Sequence, residues 1–276
     1  MTPFKIMYLN PVASSTNCDP LFVEMARAHK LPQTEVHVAS LPDSVGGFTH
    51  IEFRAYEAMV TRGIVRAVRA AAREGFDALA IGCFYDTALH DAREVSGGMV
   101  VTAPCAASCE IAASLANRFG VIVGRRKWVH QMDATVREHG HAHRLAGFYH
   151  VELGVNDFQR DHAETERRLT EAGRKAVEEG FAEAVILGCT MEIGFDRQLE
   201  KTLGVPVIDP SIAALKRAEY AAILKRQCGW GPSRKWSSES PPEDEIARFG
   251  GFDDGEVFGS RTVVPAETIA PARKAA

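Results

Sequence analysis

The segment EGFDALAIGCFYD, residues 74–86, has a near-copy in EGFAEAVILGCT, residues 179–190. Each copy opens on Glu-Gly-Phe, crosses an apolar run and stops on Gly-Cys, at Cys83 and Cys189. Glycine is the residue that most readily closes a helix, and a short apolar run that follows such a stop reads as a strand buried on both faces. A strand buried on both faces needs helices above and below it, which is the α/β arrangement with parallel strands. Two copies of the unit more than a hundred residues apart predict that the chain builds it twice.

The rest of the chain keeps the same alternation. FKIMYLN (4–10), EVHVASL (35–41), DALAIG (77–82), GMVVTA (98–103), GVIVG (120–124), LAGFYHVEL (145–153), EAVILG (183–188) and VPVID (205–209) read as strands. Helical spacing fills most of the gaps, as in IEFRAYEAMVTRGIVRAVRAAAREG, AASCEIAASLANRF, RDHAETERRLTEAGRKAVEEG and SIAALKRAEYAAILKR. The expected fold is α/β with two pseudosymmetric lobes, each a mostly parallel sheet flanked by helices. The first lobe takes residues 1–103 and is completed by 205–225; the second takes 104–204. Parallel sheets bind ligands beyond the carboxyl ends of their strands, so Cys83 and Cys189 are expected to meet one cleft between the lobes. From about residue 226 to 276 the chain turns rich in Gly, Ser, Pro and charge, with a short helix expected at PPEDEIARF. Two of the three tryptophans, Trp230 and Trp236, lie there, so part of this extension is expected to dock, while VVPAETIAPARKAA reads as a frayed tail.

Composition narrows the function classes. A net charge of −4 over 276 residues, with no basic run, gives no electrostatic footprint for nucleic acid. No apolar stretch reaches the length of a membrane span, and MTPFKIMYLNP is a strand pattern and not a signal peptide. Six cysteines are too sparse for a disulfide framework in a chain this long, so reduced thiols and a cytoplasmic location are expected.

Paired thiols carry a specific chemistry. A thiol can be tuned toward neutral pKa, and backbone N–H groups at a strand-to-helix turn favour thiolate. The same donors can hold the oxyanion that forms when a proton leaves carbon beside a carbonyl. A thiolate on one side of that carbon removes its proton while a thiol on the other side returns one, and the centre inverts. The motifs that carry this reading are KIMYLNP at the start, AIGCFYDTALHDARE around Cys83, AEAVILGCTMEIG around Cys189 and GVPVIDPSIAALKRAE after it.

Through those motifs, over about residues 4–225, the chain resembles the aspartate/glutamate/hydantoin racemase superfamily, most closely its hydantoin and allantoin racemase branch. The resemblance implies a two-lobed fold, a homo-oligomer, a small-molecule substrate and a cofactor-independent racemase or epimerase acting on a 5-substituted hydantoin or similar cyclic ureide. It makes Cys83 and Cys189 the acid/base pair. It places Asn10, with Ser14 or Ser15, on a polar edge of the substrate, and Phe84 and Thr190 along the cleft with their backbone N–H groups. The chain departs from the family in its loops. Asn10-Pro11-Val12-Ala13-Ser14 replaces Asn-Pro-Asn-Thr/Ser, Ala103-Pro104-Cys105-Ala106-Ala107 lacks the common glutamate, and Gly124-Arg125 replaces two threonines. The superfamily therefore also offers decarboxylation, cis–trans isomerisation or nucleophilic removal of a ring heteroatom, and the two-lobed shape alone would serve a non-catalytic binding protein.

Other signals have plainer readings beside functional ones. Cys105 and Cys109 stand four apart on a predicted helix, a spacing for core packing more than for metal, and no metal site is expected. Cys105, at the helix start, is also a candidate third thiol in the cleft. Arg125 and Arg126 follow a strand end, where they either bind an anionic group or face outward. The run REHGHAHR, with His139, His141 and His143, reads as a solvated turn. Asp86 reads as a capping residue, Asp209 or Ser211 as an N-cap, and Cys18 and Cys228 as incidental.

Overall fold

The apolar runs of the first hundred residues close into one sheet and those of the second hundred into another. The computed structural model describes residues 2–252 and 254–267. The first stretch runs β1 (Phe4–Ala13), α1 (Asp19–His29), β2 (Thr34–Leu41), α2 (Arg54–Arg73), β3 (Ala78–Ile81), α3 (Leu89–Glu94) and β4 (Val100–Thr102). The second runs α4 (Pro104–Leu115), β5 (Phe119–Val123), α5 (Val129–Glu138), β6 (Leu145–His150), α6 (His162–Glu178) and β7 (Ala184–Leu187). The chain finishes with α7 (Asp196–Leu203), β8 (Val207–Ile208), α8 (Pro210–Cys228), α9 (Glu243–Phe249) and β9 (Ser260–Val264).

Strand order is β4-β3-β1-β2-β9 in one sheet and β6-β5-β7-β8 in the other. Every pairing is parallel except that of β9, which lies antiparallel on β2. The α/β architecture of parallel sheets flanked by helices is thus as the apolar runs predict. The strands are apolar throughout because both faces are covered. On one face of the first sheet Met7, Leu9, Leu79 and Ile81 meet Ile64 and Val68 of α2; on the other, Ile6 and Val38 meet Phe22 of α1 and Leu215 of α8. Full burial of a side chain such as Ile64, which has no exposed surface, contributes about 1.5–3 kcal/mol. Phe119, Val121, Ile186 and Leu187 centre a third cluster in the second lobe. Among the described residues no helix is long and apolar enough to cross a membrane.

Several elements differ from the sequence expectation. The strand of 205–209 does not complete the first lobe: β8 pairs with β7, Val185 opposite Val207, and belongs to the second sheet. The short α7 and the left-handed turn at Gly204 (φ 71°) return the chain directly beside β7, and only α8 crosses to the first sheet. The extension supplies β9, whose Val263 and Val264 belong to the expected frayed tail, while residues 268–276 of that tail lie outside the described residues. Docking is not made by its tryptophans, since Trp230 and Trp236 are exposed. It is made by the β9 ladder, by Glu243 of α9 bonding Arg69, and by Arg234 donating to the Gly97 carbonyl at 2.7 Å. Helices α1, α3, α5 and α7 lie in gaps that the helical spacing leaves unassigned, although Asp19 and Pro20 in the first turn of α1 suit a helix start.

The two Glu-Gly-Phe stops are also not equivalent. Gly75 closes α2 with φ 78°, as expected of a C-terminal glycine, but in the second copy Phe181 takes the left-handed conformation with φ 55°. Gly180 is glycine for space, because a Cβ there would collide with the Tyr149 hydroxyl.

Candidate active site

Each Gly-Cys pair begins where its strand ends, and the glycine is dictated by what lies beside it. At Gly82 a Cβ would stand 2.8 Å from the fully buried Tyr8 ring, and at Gly188 it would stand 2.5 Å from the Ile122 carbonyl oxygen. Gly82 N–H donates to Leu9 O and Gly188 N–H to Ile122 O, both at 2.7 Å. Each strand end is thus pulled onto its neighbour and then released, and the next residue is the cysteine. The two copies also touch, since Thr190 Oγ1 donates to the Gly82 carbonyl at 3.2 Å. That bond joins the two lobes at the point where the cysteines emerge.

Both thiols border a cleft of about 380 Å³ between the sheets. Their settings repeat: the backbone N–H of Tyr85 draws the Cys83 thiol down, and that of Met191 the Cys189 thiol. Thr87 Oγ1 adds a contact to Cys83 Sγ at 3.6 Å. Those donors favour thiolate, yet burial outweighs them. Desolvation pushes the Cys83 thiol up to about 12, although part of the residue stays open to the cleft. Cys189 is raised well above the usual thiol range, first by burial and then by Glu192. Glu192 is itself fully buried, accepts from Cys189 N–H at 3.2 Å and is raised well above the carboxylate range by desolvation. The resting site therefore stores protons on its thiols.

Asn10, Ser15, Phe84 and Thr190 border this cleft with the two cysteines; Ser14, Cys105 and Arg125 lie outside its lining. Ser14 turns its hydroxyl to Asp43 at 3.4 Å. Cys105 is no third thiol of the cleft: it has no exposed surface and packs in the core of the second lobe with Cys109. Its backbone N–H, with that of Ala106, donates to Asp86 at 2.8 and 2.9 Å. Asp86 thereby caps α4, and it also bonds His139 Nε2 at 2.7 Å, so His139 is drawn out of the expected solvated turn. Arg125 stays partly open to solvent and donates to the buried carboxylate of Glu52 at 3.0 Å.

Glu52 and its neighbours were not singled out from the sequence. Glu52 comes from the first lobe, borders the cleft, and also accepts from Trp128 Nε1 at 3.2 Å and Val155 N–H at 3.3 Å in the second. Its segment, HIEFR, carries no local signal, because the partners that hold it lie 73 to 103 positions away. Cys18 also borders the cleft and accepts from Asn10 Nδ2 at 3.0 Å. Asp209, of the two N-cap candidates, caps α8 through Ser211 and Ile212 N–H. Tyr85, Trp128 and Met132 add an apolar wall beside Phe84.

Known proteins resemble the chain in sequence and in fold. The profile of a family described as Asp/Glu/hydantoin racemase matches residues 6–218. A hydantoin racemase of Pseudomonas sp. (strain NS671) is 34% identical over 188 residues, covering 68% of this chain and 75% of that protein. A hydantoin racemase of Paenarthrobacter aurescens is 33% identical over 245 residues, 87% of this chain and 99% of the relative. Among solved structures, allantoin racemase from Klebsiella pneumoniae superposes with a TM-score of 0.78 at 25% identity, over 87% of this chain and 94% of that one.

Proposed function

The chain belongs to the Asp/Glu/hydantoin racemase family and is a racemase, and from that premise we propose that it inverts a 5-substituted hydantoin or similar cyclic ureide by proton exchange between Cys83 and Cys189. The observation that carries this reading is the placement of both cysteines at equivalent strand ends of two sheets, bordering one cleft. One thiol, ionised, takes the proton from the carbon beside the ring carbonyl. The negative charge passes to the carbonyl oxygen, where the backbone N–H groups of Phe84 and Thr190 are the proposed donors. The opposite thiol returns a proton to the other face. The apolar wall of Phe84, Tyr85, Trp128 and Met132 supports an apolar ring substituent in place of the carboxylate of an amino acid.

Incubation of an enantiopure 5-substituted hydantoin in deuterated water should abolish optical rotation and put deuterium on that carbon. Retention of both rotation and hydrogen across several substituents would exclude the substrate class.

The raised thiols set the pH dependence. Only thiolate can act as base, so kcat/KM should rise with pH from about 7 to about 9, close to tenfold per unit if one thiol limits. Stability moves the other way. The fold keeps Cys83 protonated beyond the ordinary value of 9.0, so that contribution is complete below pH 9.0 and is lost as pH climbs toward about 12. A pH–rate profile flat over the lower range would show that neither thiol is the limiting base.

A further inference from the structure

Asn10, Ser40 and Ser260 are register partners on three neighbouring strands. Asn10 of β1 lies opposite Ser40 of β2, and Ser40 lies opposite Ser260 of β9. All three side chains converge on one carboxylate, that of Asp19 in the first turn of α1. Asn10 Nδ2 donates to Asp19 Oδ1 at 3.1 Å, Ser40 Oγ donates to the same oxygen, and Ser260 Oγ donates to Oδ2. We infer that Ser260, in the C-terminal extension, is a positioning residue that holds Asp19 so that the Asn10 amide turns its Nδ2 inward and its Oδ1 toward the cleft.

The argument is one of donors and acceptors. An ionised Asp carboxylate only accepts, so the Asn10 atom facing it has to be the NH₂ group. The Ser40 hydroxyl spends its hydrogen on Asp19 and can therefore only receive from Asn10, whose Nδ2 lies 3.0 Å away. Cys18 Sγ is a third acceptor at 3.0 Å. With its two hydrogens directed at these groups, Asn10, which is 4% exposed and borders the cleft, has its carbonyl oxygen to offer there. The extension is seated firmly enough to matter. Gly259 N–H donates to Ser40 O at 3.0 Å, and a Cβ on Gly259 would stand 2.7 Å from both Leu41 O and Pro42 Cα. Ser260 lies outside residues 6–218, the part matched to the family. Under the hydantoin reading, on which the identity of the donor rests, Oδ1 accepts a ring N–H and excludes a ring acceptor at that edge.

Two readouts test this on the full-length protein. In Ser260→Ala the β9 backbone pairing is retained while the hydroxyl is lost. KM for 5-benzylhydantoin should rise about threefold to tenfold, the loss of one net hydrogen bond, with kcat little changed, and Ser260→Thr should restore it. The second readout needs no turnover. The chain has four asparagines, so asparagine-selective ¹⁵N labelling gives four side-chain amide pairs, and Asn10→Ala identifies one of them. That pair should exchange slowly with solvent in the native protein and shift and exchange faster in Ser260→Ala. An unchanged Asn10 amide in Ser260→Ala overturns the proposal whether or not any hydantoin is racemised. A shifted amide with unchanged KM overturns the acceptor role of Oδ1. Absence of racemisation by the native protein sinks the substrate reading instead, and the relay then stands or falls on the spectrum.

Discussion

Cys83→Ser and Cys189→Ser should each lower kcat for racemisation by about a thousandfold, within the span of 10² to 10⁴ typical of a lost acid/base group. A serine hydroxyl has the shape of the thiol but ionises far less readily, so each variant keeps the cleft and loses one proton carrier. KM should change little, because the ring contacts proposed for Asn10, Phe84 and Thr190 are left in place. The two variants should also differ from each other. With one thiol left, proton exchange is confined to one face, so each variant should incorporate deuterium into one enantiomer only, and the preferred enantiomer should swap between them. Exchange measured by NMR on each pure enantiomer decides the matter. Near-full turnover in either variant, or the same enantiomer exchanged by both, would overturn the two-base mechanism. Burial sharpens the expectation, because a site that pushes Cys83 up to about 12 has no spare thiolate to substitute for a missing partner.

Gly188→Ala should be the most damaging single methyl that the site can receive. The added Cβ would stand 2.5 Å from Ile122 O and 2.9 Å from Val123 Cγ1, and the first of these is backbone already bonded to Gly188 N–H. The Ile122 oxygen cannot swing aside without breaking the β5–β7 ladder, so a cost of about 3 kcal/mol is expected, at the upper end for overpacking. In a domain of this size that corresponds to a melting temperature lower by about 6–12 °C. Gly47→Ala is the control, since a Cβ there meets nothing within 4 Å and Gly47 does not need a left-handed backbone. Calorimetry on the two variants separates a loss of space from a general intolerance of substitution. Equal stability of the two would remove close approach as the reason for glycine before Cys189.

Much of the fold was legible because its strands carry their burial in their composition. Runs such as ALAI and AVIL have no polar face, so they declare a covered parallel sheet without knowledge of the partner strands. The four strands of each half, the long helices α2, α6 and α8 and the short α9 followed from spacing and stop signals. Allegiance between sheets was less legible. VPVID reads equally well as a strand of either lobe, and the short α7 leaves β8 on the second sheet while α8 returns to the first. The C-terminal strand SRTVV was hidden for another reason: its first three residues are polar, four of the five are not buried, and its place at the edge of β2 depends on a partner more than two hundred positions away.

The same division runs through the candidate site. The repeated Gly-Cys was sufficient to single out Cys83 and Cys189, because a cysteine after a buried parallel strand falls on the ligand-binding edge wherever the strand is placed. The sequence by itself also determined that the unit is built twice and that its strands are buried. Tertiary structure alone decided which loops face those thiols. It took Cys105 into the core, paired Arg125 with Glu52, brought Trp128 and Met132 to the wall, and set Ser260 of the last strand against Asp19 and Asn10 of the first. The reason is physical. Burial along a strand is written in neighbouring residues, whereas a hydrogen bond between lobes joins groups whose only relation is the space that folding gives them.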